Sequence, residues 1–198
     1  MPGWIGLLLI LAPAGPSPSS LSPDQRAVIQ TVLSQHGSST PKSHRCVAPR
    51  TKGRVFLGVG TIAGPRFEAA AEPGVLLMGS VPPDVNLTAQ EEQDIDEAYL
   101  RLLSPLNQLR PTGSDGAEIL EEAGRVEIDA DLLAAFGRPY GKACRSTEVV
   151  TMPIVSGSVA FIDHSYFCGE LCGRGTSYGL LKRNGRWVVV LARETWVS

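Results

Sequence analysis

Asn184-Gly185, set between the runs Thr176–Arg183 and Arg186–Val197, constrains this chain more than any other pair of residues. Both central positions of a type I′ turn need φ > 0, which asparagine and glycine tolerate, so a two-residue hairpin loop is expected here. A loop of that length sets register: Arg183 faces Arg186, Lys182 faces Trp187, Leu181 faces Val188 and Leu180 faces Val189. Leu181, Val188 and Val190 fall on one side of the ribbon, and Leu180, Val189 and Leu191 on the other. A ribbon apolar on both faces needs cover on both. Helices can supply one cover; the other asks for a further element or a second subunit, as in a homodimer through the outer sheet face.

Two more β-prone runs, Glu148–Val155 and Ser158–Phe167, precede that hairpin and extend it to four strands. Upstream the period is helical. Ser22-Pro23-Asp24-Gln25 offers an N-cap, a proline at the first helical position and a capping-box glutamine, and Val28, Ile29, Val32 and Leu33 follow as one apolar stripe that Gly37 can end. Thr88-Ala89-Gln90-Glu91 is a second capping box, with Ile95, Tyr99 and Leu102 at helical spacing before Pro105. A weak helix is expected within 113–124 and a short capped one at Asp129–Gly137. Residues 37–53 read as a loop, Val55–Val59 as a short strand, and Val75–Met78 as a run bounded by proline turns. The fold class that follows is α+β, with N-terminal helices packed on a curved C-terminal antiparallel sheet.

With 198 residues, 43 % of them apolar and 19 % charged, the chain can bury one core but is short for two. A net charge of −2 without a basic stripe argues against nucleic acid as a partner. No apolar run reaches the roughly 18 residues that span a membrane. Trp4–Ala12 has the length of a signal-peptide core and leads into Ala12-Pro13-Ala14, a small-x-small cleavage site. The expected organisation is a signal peptide at 1–14, a disordered mature N-terminus at 15–21 and a single domain at 22–198, in an exported protein that is periplasmic or secreted.

Four cysteines in an oxidising compartment suggest two bridges. Cys168-Gly169-Glu170-Leu171-Cys172 lies between two strands, where a tight turn brings cysteines four apart into bonding range, so the favoured pairs are Cys168–Cys172 and Cys46–Cys144. A zinc site on His164, Cys168 and Cys172 lacks a fourth ligand, and no metal is expected. Asp163-His164-Ser165 is no triad, because neighbouring strand residues point to opposite faces. Asp163, His164, Tyr166 and Glu194 are nevertheless the polar residues best placed to bind at a sheet-lined cavity. No phosphate loop, dinucleotide fingerprint, zinc-protease or nucleophile-elbow motif occurs, so no cofactor is expected.

The ending Cys168-Gly169-x-Leu171-Cys172-Gly173-x-Gly175, Lys182-x-x-Gly185-x-Trp187 and Trp196-Val197-Ser198 resembles a group of uncharacterised bacterial exported proteins, a likeness over about residues 150–198 that implies export and no particular activity. More loosely, helices followed by a strand–Asn-Gly–Trp-strand ending are similar to the nuclear transport factor two-like, cystatin-related superfamily. That resemblance implies a curved sheet wrapped on helices, a cone-shaped cavity and frequent dimers. The functional expectation is an exported non-catalytic module that binds a small ligand or a protein partner. The alternative is a small hydrolase or isomerase with a polar group at the cavity mouth.

Overall fold

The structure, a computed structural model, describes residues 20–36, 45–51, 81–102, 126–141, 143–169 and 172–198. The signal-peptide expectation, the strand at Val55–Val59, the run at Val75–Met78 and the weak helix within 113–124 lie outside these residues, as does Gly37.

Among the described residues three helices and a seven-stranded mixed sheet make an α+β fold. Helix α1 is Pro23–His36, α2 is Ala89–Leu102 and α3 is Ala130–Phe136. Strands β1 (Arg45–Val47), β2 (Arg138–Pro139), β3 (Ser146–Val150), β4 (Ile154–Ser156), β5 (Val159–Gly169), β6 (Cys172–Arg183) and β7 (Arg186–Val197) complete it. The sheet runs β2-β1-β3-β5-β6-β7, with β4 also on β5. Both capping boxes form. Gln25 N–H donates to Ser22 Oγ (3.2 Å) and Ser22 N–H to Gln25 Oε1 (2.9 Å), and Thr88 and Glu91 repeat the exchange.

The hairpin has the register its turn demands: all four pairs from Arg183–Arg186 to Leu180–Val189 are present, and Asn184 and Gly185 have φ of 51° and 77°. One face assignment is corrected. Gly179 pairs with Leu191 while Leu180 pairs with Val189, so Val190 is an extra, bulged residue and Leu191 turns to the face of Leu181. Gly179 makes this possible, since a Cβ there would stand 3.2 Å from the Leu191 side chain. Strand limits shift too. Met152-Pro153 splits the expected Glu148–Val155 into β3 and β4, and β6 starts at Cys172 rather than Thr176.

The supposed loop at 37–53 contains β1, which lies parallel to β2 and β3 and makes the sheet mixed. Three residues show no alternation to read, and Arg45 is unlike a strand interior until its partner is known.

Helices cover both sheet faces. Val28, Ile29, Val32 and Leu33 of α1, with Leu132 and Leu133 of α3, pack on Ala160, Ile162, Leu180 and Val189. Ile95 and Ala98 of α2 pack on Val159, Phe161, Leu181, Val190 and Leu191, supplying the further element that the second face needs. The hairpin grips both helices by their first turns. Lys182 Nζ and Trp187 Nε1 donate to Asp24 of α1 (2.6 and 3.1 Å), and Arg183 donates twice to Glu91 of α2 (2.7 and 2.9 Å). The Arg183 hydrogen bonds pull the Glu91 carboxyl down to about 2. With α1 pinned at that end, its last residue, His36, reaches only part-way along the sheet. Among the described residues, none covers the opposite end of this face, toward Cys168 and Cys172.

Candidate functional site

That end holds a cavity of about 390 Å³, lined by His36, Glu148, Tyr166, the two cysteines, Arg174, Glu194 and Val197, among others. The lining follows from strand register. Glu148, Tyr166, Arg174 and Val197 lie in one cross-strand row, and Val150, His164, Thr176 and Glu194 in the next. Glu194 reaches this face because the Val190 bulge inverts the residues of β7 that follow it, as far as Glu194. A second bulge, at Thr195, then returns Val197 to the cavity side.

The floor is a buried charged network. Arg45 and Glu148, each 2 % exposed, form a two-point ion pair through both carboxylate oxygens. Arg45 Nη2 also donates to Leu33 O (2.8 Å), satisfying a carbonyl in the last turn of α1. His164 Nε2–H donates to Glu148 Oε2 at 3.1 Å. Burial alone would push the Glu148 carboxyl up; hydrogen bonds from His164 and Arg45 outweigh it and hold the group below the ordinary carboxylate range.

His36 closes the network from above. It continues the α1 stripe of Ile29, Val32 and Leu33, so the helix delivers it onto the sheet. There its ring stacks on His164, centroids 4.2 Å apart and 14° from parallel, and Nε2 shares a hydrogen bond with the Tyr178 hydroxyl. Burial, then the neighbouring His164, lower its proton affinity to about 4, with Arg174 and Arg45 adding to the effect and Glu148 opposing it. At neutral pH His36 is an uncharged imidazole. Burial raises Tyr178, which stays a phenol.

Of the four residues expected from sequence, the structure brings three together. Tyr166 and Glu194 line the cavity, and His164 lies in the floor against Glu148 and His36. Asp163 is not among them. It points to the α2 face, where Ser177 Oγ donates to it at 2.5 Å, as strand alternation requires. Arg45, Glu148, His36 and Arg174 were not singled out in the sequence. Two of them carried a signal: His36 extends an apolar stripe, and Glu148 occupies the inward position two residues before Val150.

Both expected disulfides are present. Cys46–Cys144 has a Cα separation of 5.8 Å and ties β1 to the β2–β3 connection; Cys168–Cys172, at 5.1 Å, joins the ends of β5 and β6 on the cavity rim. The glycines beside the second bridge serve the opposite face. A Cβ on Gly173 would lie 2.9 Å from the Trp196 ring, and one on Gly175 would overlap the indole outright. Trp196 rests in that slot beside Phe167, ring centroids 5.4 Å apart.

The chain matches no protein-family model, no curated protein and no solved structure. No described helix is long and apolar enough to cross a membrane.

Proposed function

We propose that this protein is an exported, non-catalytic module that binds a small ligand in the cavity at the Cys168–Cys172 end of the α1 face. The observation that carries the reading is convergence. One helix and four strands direct His36, Glu148, Tyr166, Arg174 and Glu194 into a single cavity, over a floor whose own charges are already paired. Such a floor is fixed before any ligand arrives, which lowers the ordering cost of binding. Two disulfides fit an oxidising compartment and support export, as does the likeness of the chain's ending to exported bacterial proteins. α2 occupies the sheet face on which a second copy would dock, so the reading needs one chain only.

The stacked His36–His164 pair favours the second reading, a hydrolase or isomerase. Against it, His36 holds a proton only near pH 4, and Glu148 spends both oxygens on Arg45 and His164. Native mass spectrometry of the protein from its own host tests the proposal. The expected result is a mature chain beginning at Gly15 that carries a small molecule, lost when Tyr166 and Arg174 are replaced. Turnover of a small ester or keto substrate that disappears in His164→Gln would overturn the non-catalytic reading.

A further inference from the structure

We infer that the cavity takes a small zwitterion of the α-amino acid class, with Arg174 holding its carboxylate and Glu194 its ammonium group. The inference rests on the cavity being a ligand site and adds the ligand's chemical class.

The charges of the lining divide into two sets. Glu148 is matched by Arg45 and His164, and His36 is neutral, so the floor asks for no ion. Arg174 and Glu194 remain. Both are exposed on the cavity wall, and among the described residues neither has a hydrogen-bond or ion-pair partner. They belong to adjacent strands and one face, yet do not pair with each other: Arg174 lies opposite Val197, and Glu194 opposite Thr176. Diagonal neighbours of this kind are about 7–8 Å apart at the backbone, close enough for two long side chains to reach the two ionic groups of one small ligand.

A purely anionic ligand would satisfy Arg174 and be repelled by Glu194, and a purely cationic one would meet the reverse. A molecule bearing both charges on one carbon meets neither penalty. Arginine suits a carboxylate in particular, through paired parallel hydrogen bonds. The rest of the lining suits a modest carbon skeleton: the Val197 methyls, the Tyr166 ring and the Cys168–Cys172 bridge offer apolar surface, and about 390 Å³ lies at the small end of ligand cavities. Glu194 and Val197 both face the cavity only because β7 is bulged twice, an arrangement often found beside binding sites.

The test is titration calorimetry of the intact, oxidised protein at neutral pH with glycine, L-leucine, L-phenylalanine, L-glutamate and L-lysine. The amide and the N-acetyl derivative of the tightest binder are titrated alongside. The free amino acid is expected to bind at least about tenfold tighter than either derivative. Arg174→Gln should abolish the margin over the amide, and Glu194→Gln the margin over the N-acetyl form; both side chains are exposed, so the fold should tolerate either change. Equal binding of the three forms, or tighter binding of a singly charged one, would overturn the zwitterion. So would failure of all five amino acids while a fragment library shifts the NMR signals of His36 and Tyr166, an outcome that leaves the cavity a ligand site. A library that shifts neither residue would remove the site reading as well.

Discussion

His36 stacks on His164, ring centroids 4.2 Å apart and 14° from parallel, so the last residue of α1 is held flat against a ring of the sheet. Burial first, then the neighbouring His164 and the cations Arg174 and Arg45, make protonation of His36 costly in the fold, a cost absent from the unfolded chain.

A pH dependence follows from that contact. The folded value of His36 is lowered from 6.5 to about 4. Between those values the unfolded state binds more protons than the native one, so stability rises with pH and is lost as pH falls from 6.5 toward 4. The ring is only half-buried, and after allowing for solvent screening the loss should be roughly 1–2 kcal/mol. Thermal melts at pH 7.5, 6.0 and 4.5 should show it as a fall in Tm of about 2–8 °C. His36→Gln should flatten that slope; an unchanged slope in the variant would assign the effect to other groups.

The buried ion pair makes a different kind of prediction. Glu148→Gln leaves the Arg45 guanidinium buried without a counter-charge and should cost about 3–5 kcal/mol in urea denaturation. The double change Arg45→Met with Glu148→Leu removes both charges and should recover more than half of that loss. A double variant no more stable than the single one would show that the network's other hydrogen bonds, Arg45 to Leu33 and His164 to Glu148, outweigh the ion pair.

Trp196 depends on its glycines. Gly175→Ala places a methyl group in the indole and should destabilise the fold by about 1–3 kcal/mol. In the Trp196→Ala background the same change should cost far less, since the overlap is gone. Additive losses would show that Gly175 is needed for backbone reasons instead.

What could be read from the sequence was local. The Asn184-Gly185 turn dictated four cross-strand pairs because a two-residue loop leaves no freedom of register, and both capping boxes marked helix starts because their hydrogen bonds span only three residues. Bulges are not local in this sense. Nothing in Val188-Val189-Val190-Leu191 announces which valine is extra; the empty space above Gly179, on another strand, decides it. That one residue moved Glu194 from the α2 face to the cavity. The floor was hidden for a similar reason: Arg45 and Glu148 are 103 residues apart, and each reads as a surface charge until the other is placed. His164, Tyr166 and Glu194 were named from the sequence as candidates at a sheet-lined cavity; Arg45, Glu148 and His36, which make its floor, were not.

The two disulfides should contribute very differently to stability. Cys46–Cys144 closes a sequence separation of 98, and in the loop-entropy account such a bridge restricts the unfolded chain by about 4–5 kcal/mol. It also anchors β1, the strand that carries Arg45 to the cavity floor, so its loss should loosen the network as well as the chain. Cys168–Cys172 spans four residues and should be worth about 2 kcal/mol or less. This bridge is exposed at Cys172, so a mild thiol should attack there and reduce it before Cys46–Cys144, because access governs exchange. Paired serine replacements separate the two. Cys168→Ser with Cys172→Ser should lower Tm by a few degrees and leave the His36 and His164 ring signals in place, whereas Cys46→Ser with Cys144→Ser should cost more than twice as much and shift those signals. Equal losses from the two pairs would mean that the short bridge holds the β5–β6 end, and with it the cavity wall, more firmly than loop closure predicts.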